Sequence, residues 1–436
     1  MKPCLHIAIP AMAEVHYLPS TMADLLSQES SYAYRIYICV NQPESYWQEK
    51  PEVCQNNQES ITYLETLSEK HLQSLSESIQ QSPSEAPPQS SSEAKPNPWC
   101  SQCKSICIID RSSRGKGWTG KHKGVGWARK TLFEQILGTA APHDIILSLD
   151  ADTRVQSNYC QAVGECFEKN DSLDALALPY YHPLCGQAKI DRAMLRYEMY
   201  MRFYHLNLQA ISSPFAFTAI GSAIAFRVSA LRRIGNIKPL PSGEDFYLLQ
   251  KFCKTSKVSH FCNTVVMPAT RFSSRVDFGT GPALAKACQG NWSSYPIYHP
   301  KYFAIIGDAY SLIEDIFNDK SLPQNEFLEF LAKQNKDENL WIPLRKNLKD
   351  LAHFRQGFHE KADGLRILQF LKQSCNRKQS ANTEKDSLQA NLQLHLKEDF
   401  PYDNLEEAPT EYLLSLREKL FDRELAIRKI QSNQQY

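Results

Sequence analysis

Glycine is scarce in this 436-residue chain, 17 residues in all, and no stretch approaches the ~18 consecutive apolar residues that a transmembrane helix needs. The second absence argues against a helical membrane span. The opening Met-Lys-Pro-Cys-Leu-His-Ile-Ala-Ile-Pro is too short and too broken for a signal peptide. An excess of one charge is lacking too: 49 Lys+Arg stand against 48 Asp+Glu. That balance excludes bulk nucleic-acid binding and a polybasic membrane anchor, so any anion site must be local. A paired cysteine framework is also missing. The 13 cysteines are odd in number and scattered, and Cys39, Cys107 and Cys262 sit in apolar, strand-like runs. They read as reduced thiols of a cytoplasmic protein. Cys100, Cys103 and Cys107 offer three ligands without an obvious fourth, and Cys107 falls inside a strand-like run, so zinc is not expected.

What is present is ample apolar material, 42% of the chain, enough for a large core. Four β-branched runs appear in the first 150 residues: Leu5 to Ile9, Arg35 to Val40, Ser105 to Ile109 and Ile145 to Leu149. Leu18 to Leu26 and Val125 to Leu137 carry helical apolar spacing between them. Alternating strands and helices predict an α/β fold with a mostly parallel central sheet flanked by helices. Residues 77 to 97 are rich in Pro, Ser, Glu and Gln and read as a disordered insertion in a loop of one domain spanning about 1–300. Residues 301–436 read as a helical C-terminal region, with helices at Phe303 to Phe317, Phe327 to Lys333, Leu351 to Phe370 and Thr410 to Ile430 and a polar break from Asn376 to Asn391. Leu413, Leu416, Leu420 and Ile427 give the last helix one apolar stripe. Its opposite face mixes acids and bases, which favours docking onto the main domain over a membrane-surface role.

Four constellations carry chemistry. The run Ile145-Ile-Leu-Ser-Leu149 stops on Asp150-Ala-Asp152, as a buried parallel strand does when it presents a ligand site at its carboxyl end. Strand alternation would put Asp150 and Asp152 on one side, where hard oxygens suit Mg²⁺ or Mn²⁺ carrying substrate phosphates. Five of the scarce glycines crowd into Gly115 to Gly126 with Lys116, Lys121 and Lys123, a loop suited to anions ahead of a helix. Glu244-Asp245 follow Gly243 at a helix start, where carboxylates also suit the dipole. Arg271 and Arg275, four apart and followed by Gly279-Thr-Gly281, form a loop able to close over phosphates.

In this order the pieces resemble family 2 glycosyltransferases of the GT-A fold, bacterial and inverting, over about residues 5 to 300. Ile9-Pro10-Ala11-Met12-Ala13-Glu14 is similar to that family's opening, with Ala13 where Asn is usual. Gly124-Val-Gly-Trp-Ala-Arg129 resembles its helix start, Asp150-Ala-Asp152 its D-x-D signature, and Glu244-Asp245 its E-D pair. The resemblance implies transfer of a sugar from a nucleoside diphosphate-sugar to an acceptor hydroxyl of a glycan, lipid-linked compound or small molecule. It implies Asp245 as base, Glu244 as its orienting neighbour, and Asp150 and Asp152 on Mn²⁺ or Mg²⁺. The donor would meet Pro10, Ala11, Glu14, Asp150, Lys116, Lys121, Arg129, Arg271 and Arg275. The second strand ends Val40-Asn41-Gln42-Pro43, where the family usually has an Asp that reads the nucleobase, so Asn41 or Asp110 is expected to do so. Peripheral membrane contact is left open. Two rivals are a nucleotide-sugar-binding protein without catalysis and a sugar-phosphate nucleotidyltransferase, though the latter would want a glycine-rich loop after the first strand.

Overall fold

The computed structural model describes residues 2–80, 102–256, 258–272, 280–293, 295–377 and 383–434. The chain opens with β1 (Leu5–Ala11), α1 (Leu18–Leu26), β2 (Tyr34–Asn41), the short α2 (Tyr46–Glu49), α3 (Pro51–Gln80) and β3 (Cys103–Arg111). There follow α4 (Val125–Leu137), β4 (Ile145–Ser148), β5 (Thr153–Val155), α5 (Tyr159–Glu168), β6 (Ala175–Ala177) and α6 (Ala188–Ala210). Then come β7 (Ile224–Arg227), α7 (Val228–Ile234), α8 (Glu244–Thr255), β8 (Val258–Ser259), β9 (Val266–Pro268) and α9 (Thr280–Ala287).

Seven strands form one sheet in the order β3-β2-β1-β4-β7-β6-β8. β1 runs parallel to β2 and β4, β2 to β3, and β6 to β8, while β7 is antiparallel to both of its neighbours. This is the mostly parallel, helix-flanked sheet that the alternating pattern predicted. Every residue of β1 is buried, because helices cover both faces of a parallel sheet. The strand order reverses between β1 and β4, and such a reversal opens a crevice beyond the strands' carboxyl ends. β1 outruns β4 there: β4 pairs only with Leu5 to Ala8, so Pro10 lies where one flank of β1 has no strand beside it and its missing N–H costs little.

Beyond residue 300 lie α10 (Pro300–Ser311), α11 (Ile313–Phe317), α12 (Glu326–Asn335), α13 (Trp341–Asn347), α14 (Leu351–Lys361), α15 (Gly364–Arg377), α16 (Glu384–His395) and α17 (Thr410–Gln434). Three expectations are corrected. The helix predicted for Leu351 to Phe370 is two, broken around Ala362-Asp363. The polar break predicted from Asn376 holds most of α16, whose start is fixed by a capping box between Thr383 and Asp386. Glu77 to Gln80 belong to α3, and the rest of the expected insertion lies outside the described residues. No helix among the described residues is long and apolar enough to cross a membrane.

α17 lies along α6. Leu413, Leu416 and Leu420 pack with Leu195, Met199 and Phe203, and beside them the interface buries Arg417, Glu424 and Arg428. Arg202 on α6 donates to Glu424 at 2.8 Å, Arg428 pairs with the same carboxylate, and Arg417 donates to the His182 carbonyl at 2.9 Å. A buried ion pair that loses one partner typically costs 3–5 kcal/mol, so this interface tolerates little change.

Candidate active site

The crevice at the strand reversal is a cavity of about 430 Å³. Pro10, Ala11, Glu14, Asn41, Arg129, Asp150, Asp152, Glu244, Asp245 and Arg271 all line it, so six separate stretches of sequence meet there. The two aspartates come from a turn, which corrects the expected strand alternation. β4 ends at Ser148, and Thr153 N donates to the Asp150 carbonyl at 3.1 Å, closing a tight reversal into β5. Thr21 on α1 donates its hydroxyl to the Ala151 carbonyl at 2.9 Å and pins the turn.

Each aspartate meets a guanidinium. Arg129, wholly buried on α4, bonds Asp150 with one terminal nitrogen and Glu244 with the other, and its Nε donates to Ser148 Oγ at 3.2 Å. Two glycines permit close approaches around it. A Cβ on Gly221 would collide with the Arg129 guanidinium, and one on Gly126 would press on Leu240, in the loop leading to Glu244. Arg129, expected on the donor, is therefore engaged inside the protein as a bridge between the aspartate turn and α8. Arg271 Nε donates to Asp152 Oδ2 at 2.8 Å and Nη2 to Glu14 Oε1 at 2.5 Å, with the guanidinium 4.3 Å over the Tyr17 ring. β9 pairs antiparallel with β5, setting Thr153 opposite Pro268, so this two-stranded sheet carries Asp152 and Arg271 to the same spot.

Gly243, in the left-handed region at φ 72°, turns the chain into α8 and leaves Glu244 and Asp245 in its first turn. Glu244 is 2% exposed. Burial pushes its carboxyl up to about 7, outweighing the pull of Arg129, and Asp245 pushes the same way. Asp245 is half-buried on the cavity wall, and its Oδ1 accepts from the Phe246 backbone at 2.8 Å.

Other expected residues lie elsewhere. Asp110 accepts from Lys116 at 2.9 Å and from the Ser112 and Ser113 amides, outside the cavity. Burial would raise its carboxyl, but those bonds outweigh it and hold it well below the usual carboxylate range. The glycine-rich loop already has an anion, because Gly115 and Gly117 donate to the Glu44 carboxylate at 2.9 and 2.8 Å. Lys116 and Lys121 are exposed and do not line the cavity. Asn41 does line it, yet its amide donates to the Ala11 carbonyl at 2.9 Å and its oxygen accepts from Trp118 Nε1 at 3.1 Å, so both polar ends face the protein rather than a base. Arg275 lies outside the described residues. Sequence reasoning missed Tyr197 and Met201, which α6 contributes to the wall; charged residues recur along that helix, and nothing local marks these two as facing a cavity.

The donor set suits a magnesium-like ion. Such ions take one or two carboxylates plus substrate phosphates rather than a protein cage, and no group of three or more His, Cys, Asp or Glu side chains able to hold an ion occurs among the described residues. Among the described residues the cavity holds five carboxylates (Glu14, Asp150, Asp152, Glu244, Asp245) against two guanidiniums.

No family model matches this chain, and no curated protein does. Among solved structures it is similar to residues 1–349 of S. aureus TarS, also solved with UDP-GlcNAc, at 11% identity, TM-score 0.40, covering 100% of this chain and 93% of that one. It is also similar to the Pyrobaculum calidifontis mannosyltransferase PcManGT in complex with GDP-Man and Mn²⁺, at 11% identity, TM-score 0.36, covering 98% and 87%. Likenesses this loose leave the function to be argued from the site itself.

Proposed function

We propose that the chain is a glycosyltransferase that moves a sugar from a nucleoside diphosphate-sugar to an acceptor hydroxyl with inversion. The observation that carries the reading is the convergence of Asp150 and Asp152 with Glu244 and Asp245 on one cavity at the strand reversal. Asp150 and Asp152 would hold a divalent cation, which supplies Lewis-acid neutralisation of the diphosphate leaving group. Asp245 accepts the proton of the attacking hydroxyl. Glu244, gripped by Arg129, sets the first turn of α8 and with it the direction of Asp245. Among the described residues Arg271 is the one cation in the cavity beside Arg129, and it is placed to share the charge of the departing diphosphate. Pro10 and Ala11 at the end of β1 form the floor on which a nucleoside can lie.

The test is a panel of nucleoside diphosphate-sugars with Mn²⁺, scored for release of nucleoside diphosphate. Release is expected for at least one donor, and the transferred sugar is expected in inverted configuration by its anomeric NMR coupling. Saturable donor binding without release would instead support a binding protein, and retained configuration would reject the single displacement.

A further inference from the structure

Transfer through Asp152 requires a cation there, and the free protein already supplies one from its own chain. Arg271 Nε and Nη2 lie 2.8 and 2.6 Å from a single oxygen of Asp152, and Nη2 also reaches Glu14 Oε1 at 2.5 Å. The Arg271 side chain is only 18% exposed, and Tyr17 closes over its face at 4.3 Å. A divalent ion arriving by itself must break the two charge-assisted contacts to Asp152, and it leaves the displaced guanidinium with Glu14 alone where it had two carboxylates. An ion arriving with a diphosphate meets a different balance. Phosphate oxygens accept the same forked donation from a guanidinium, so the carboxylate that passes to the metal is replaced for Arg271 by the ligand itself.

We propose, resting on the glycosyltransferase reading, that Arg271 stands in for the divalent cation on Asp152 and exchanges that carboxylate for the donor diphosphate when metal and donor enter together. The anchoring suits an exchange of side-chain partners. Asp152 is fixed by the turn into β5 and Arg271 by its place three residues past β9, while the pairing of those strands holds both ends in reach of one cavity. Metal and nucleotide then bind as a strongly coupled pair, each weakly alone. Coupling of this kind commonly amounts to roughly 5–150-fold in affinity.

Two binding measurements on the full chain test this without any turnover: Mn²⁺ titration followed by loss of the free-ion EPR signal, and calorimetry with UDP and with GDP at saturating Mn²⁺. Arg271→Ala is expected to tighten Mn²⁺ alone by about tenfold, because a competitor is gone, and to weaken nucleoside diphosphate by about tenfold, because a phosphate partner is gone. The opposite signs are the signature. A purely structural Arg271 would weaken both, and a simple phosphate ligand would weaken the nucleotide and leave Mn²⁺ unchanged; either result overturns the proposal. Should Arg271→Ala unfold the protein, the double variant E14Q/R271A also removes a carboxylate that Arg271 neutralises, and the same opposed shifts are expected relative to E14Q. If the unaltered chain binds neither UDP nor GDP with Mn²⁺ while Arg271→Ala still tightens Mn²⁺, the glycosyltransferase reading falls with the exchange onto diphosphate, and only the competition at Asp152 remains.

Discussion

Asp245 is the residue on which the proposed chemistry turns, and its position separates binding from catalysis. It faces the cavity from the first turn of α8, whereas Asp150 and Asp152 come from the turn after β4. Asp245→Asn is expected to keep Mn²⁺-dependent nucleotide affinity within a few fold while transfer falls by ~10²–10⁴, the usual worth of general-base catalysis. Near-normal transfer by that variant would move the base elsewhere. Ala13 is a second informative residue. It stands at φ 56°, left-handed backbone that costs a residue with a Cβ roughly 1–2 kcal/mol, and its amide donates to Asn57 at 2.8 Å. The resemblance has Asn at this place, a side chain that tolerates the left-handed region. Ala13→Gly is expected to raise stability by roughly 0.5–1 kcal/mol in denaturant titration, relief of strain exceeding the added chain entropy. A loss would show that the Ala methyl packs usefully.

At the scale of elements, the α6–α17 interface joins the end of the chain to the wall of the cavity, since α6 also presents Tyr197 and Met201 there. Burial would raise the Glu198 and Glu424 carboxyls, but the surrounding arginines and histidines outweigh it and hold both at about 2. A carboxylate whose folded value lies below its unfolded one contributes stability above the unfolded value, and that contribution fades as pH falls toward the folded value. Acid unfolding between about pH 4.5 and 2 should therefore report this interface. Glu424→Gln leaves Arg428 buried without its carboxylate and Arg202 with Glu198 alone, and is expected to cost about 3–5 kcal/mol at pH 7. Its stability should also depend less on pH across that acid range. An unchanged acid profile would place the acid sensitivity in other carboxylates.

For the whole molecule, we propose the division inferred from composition: a catalytic domain over about 1–300 and a helical region after it. On that proposal the Pro/Ser/Glu/Gln-rich stretch read at 77–97, less the part that belongs to α3, is an insertion between α3 and β3 that costs little in closure entropy. Its excision is expected to leave melting temperature and donor turnover near those of the full chain. A large loss of either would show that the stretch packs or acts on substrate.

The run Leu5 to Ile9 in β1, the strand before Asp150 and the glycine ahead of Glu244 were legible in the sequence, because strand burial, strand ends and helix starts are local events with local residue signals. So was the list of charged residues worth watching. Their partners were not legible. That Arg129 bridges Asp150 and Glu244, that Arg271 rests on Asp152, and that Glu44 fills the glycine-rich loop are pairings across 21 to 119 residues of chain. The same holds for the charged face of α17. Glu424 reads as a solvent residue by type, yet it is buried against Arg202 because a partner of opposite charge more than 200 residues away offsets the cost of leaving water, and Arg428, four residues on, is buried on the same carboxylate. Propensity and periodicity set which elements form and what their ends carry, while the pairing of charges depends on which ends the sheet brings together, and only the folded chain decides that.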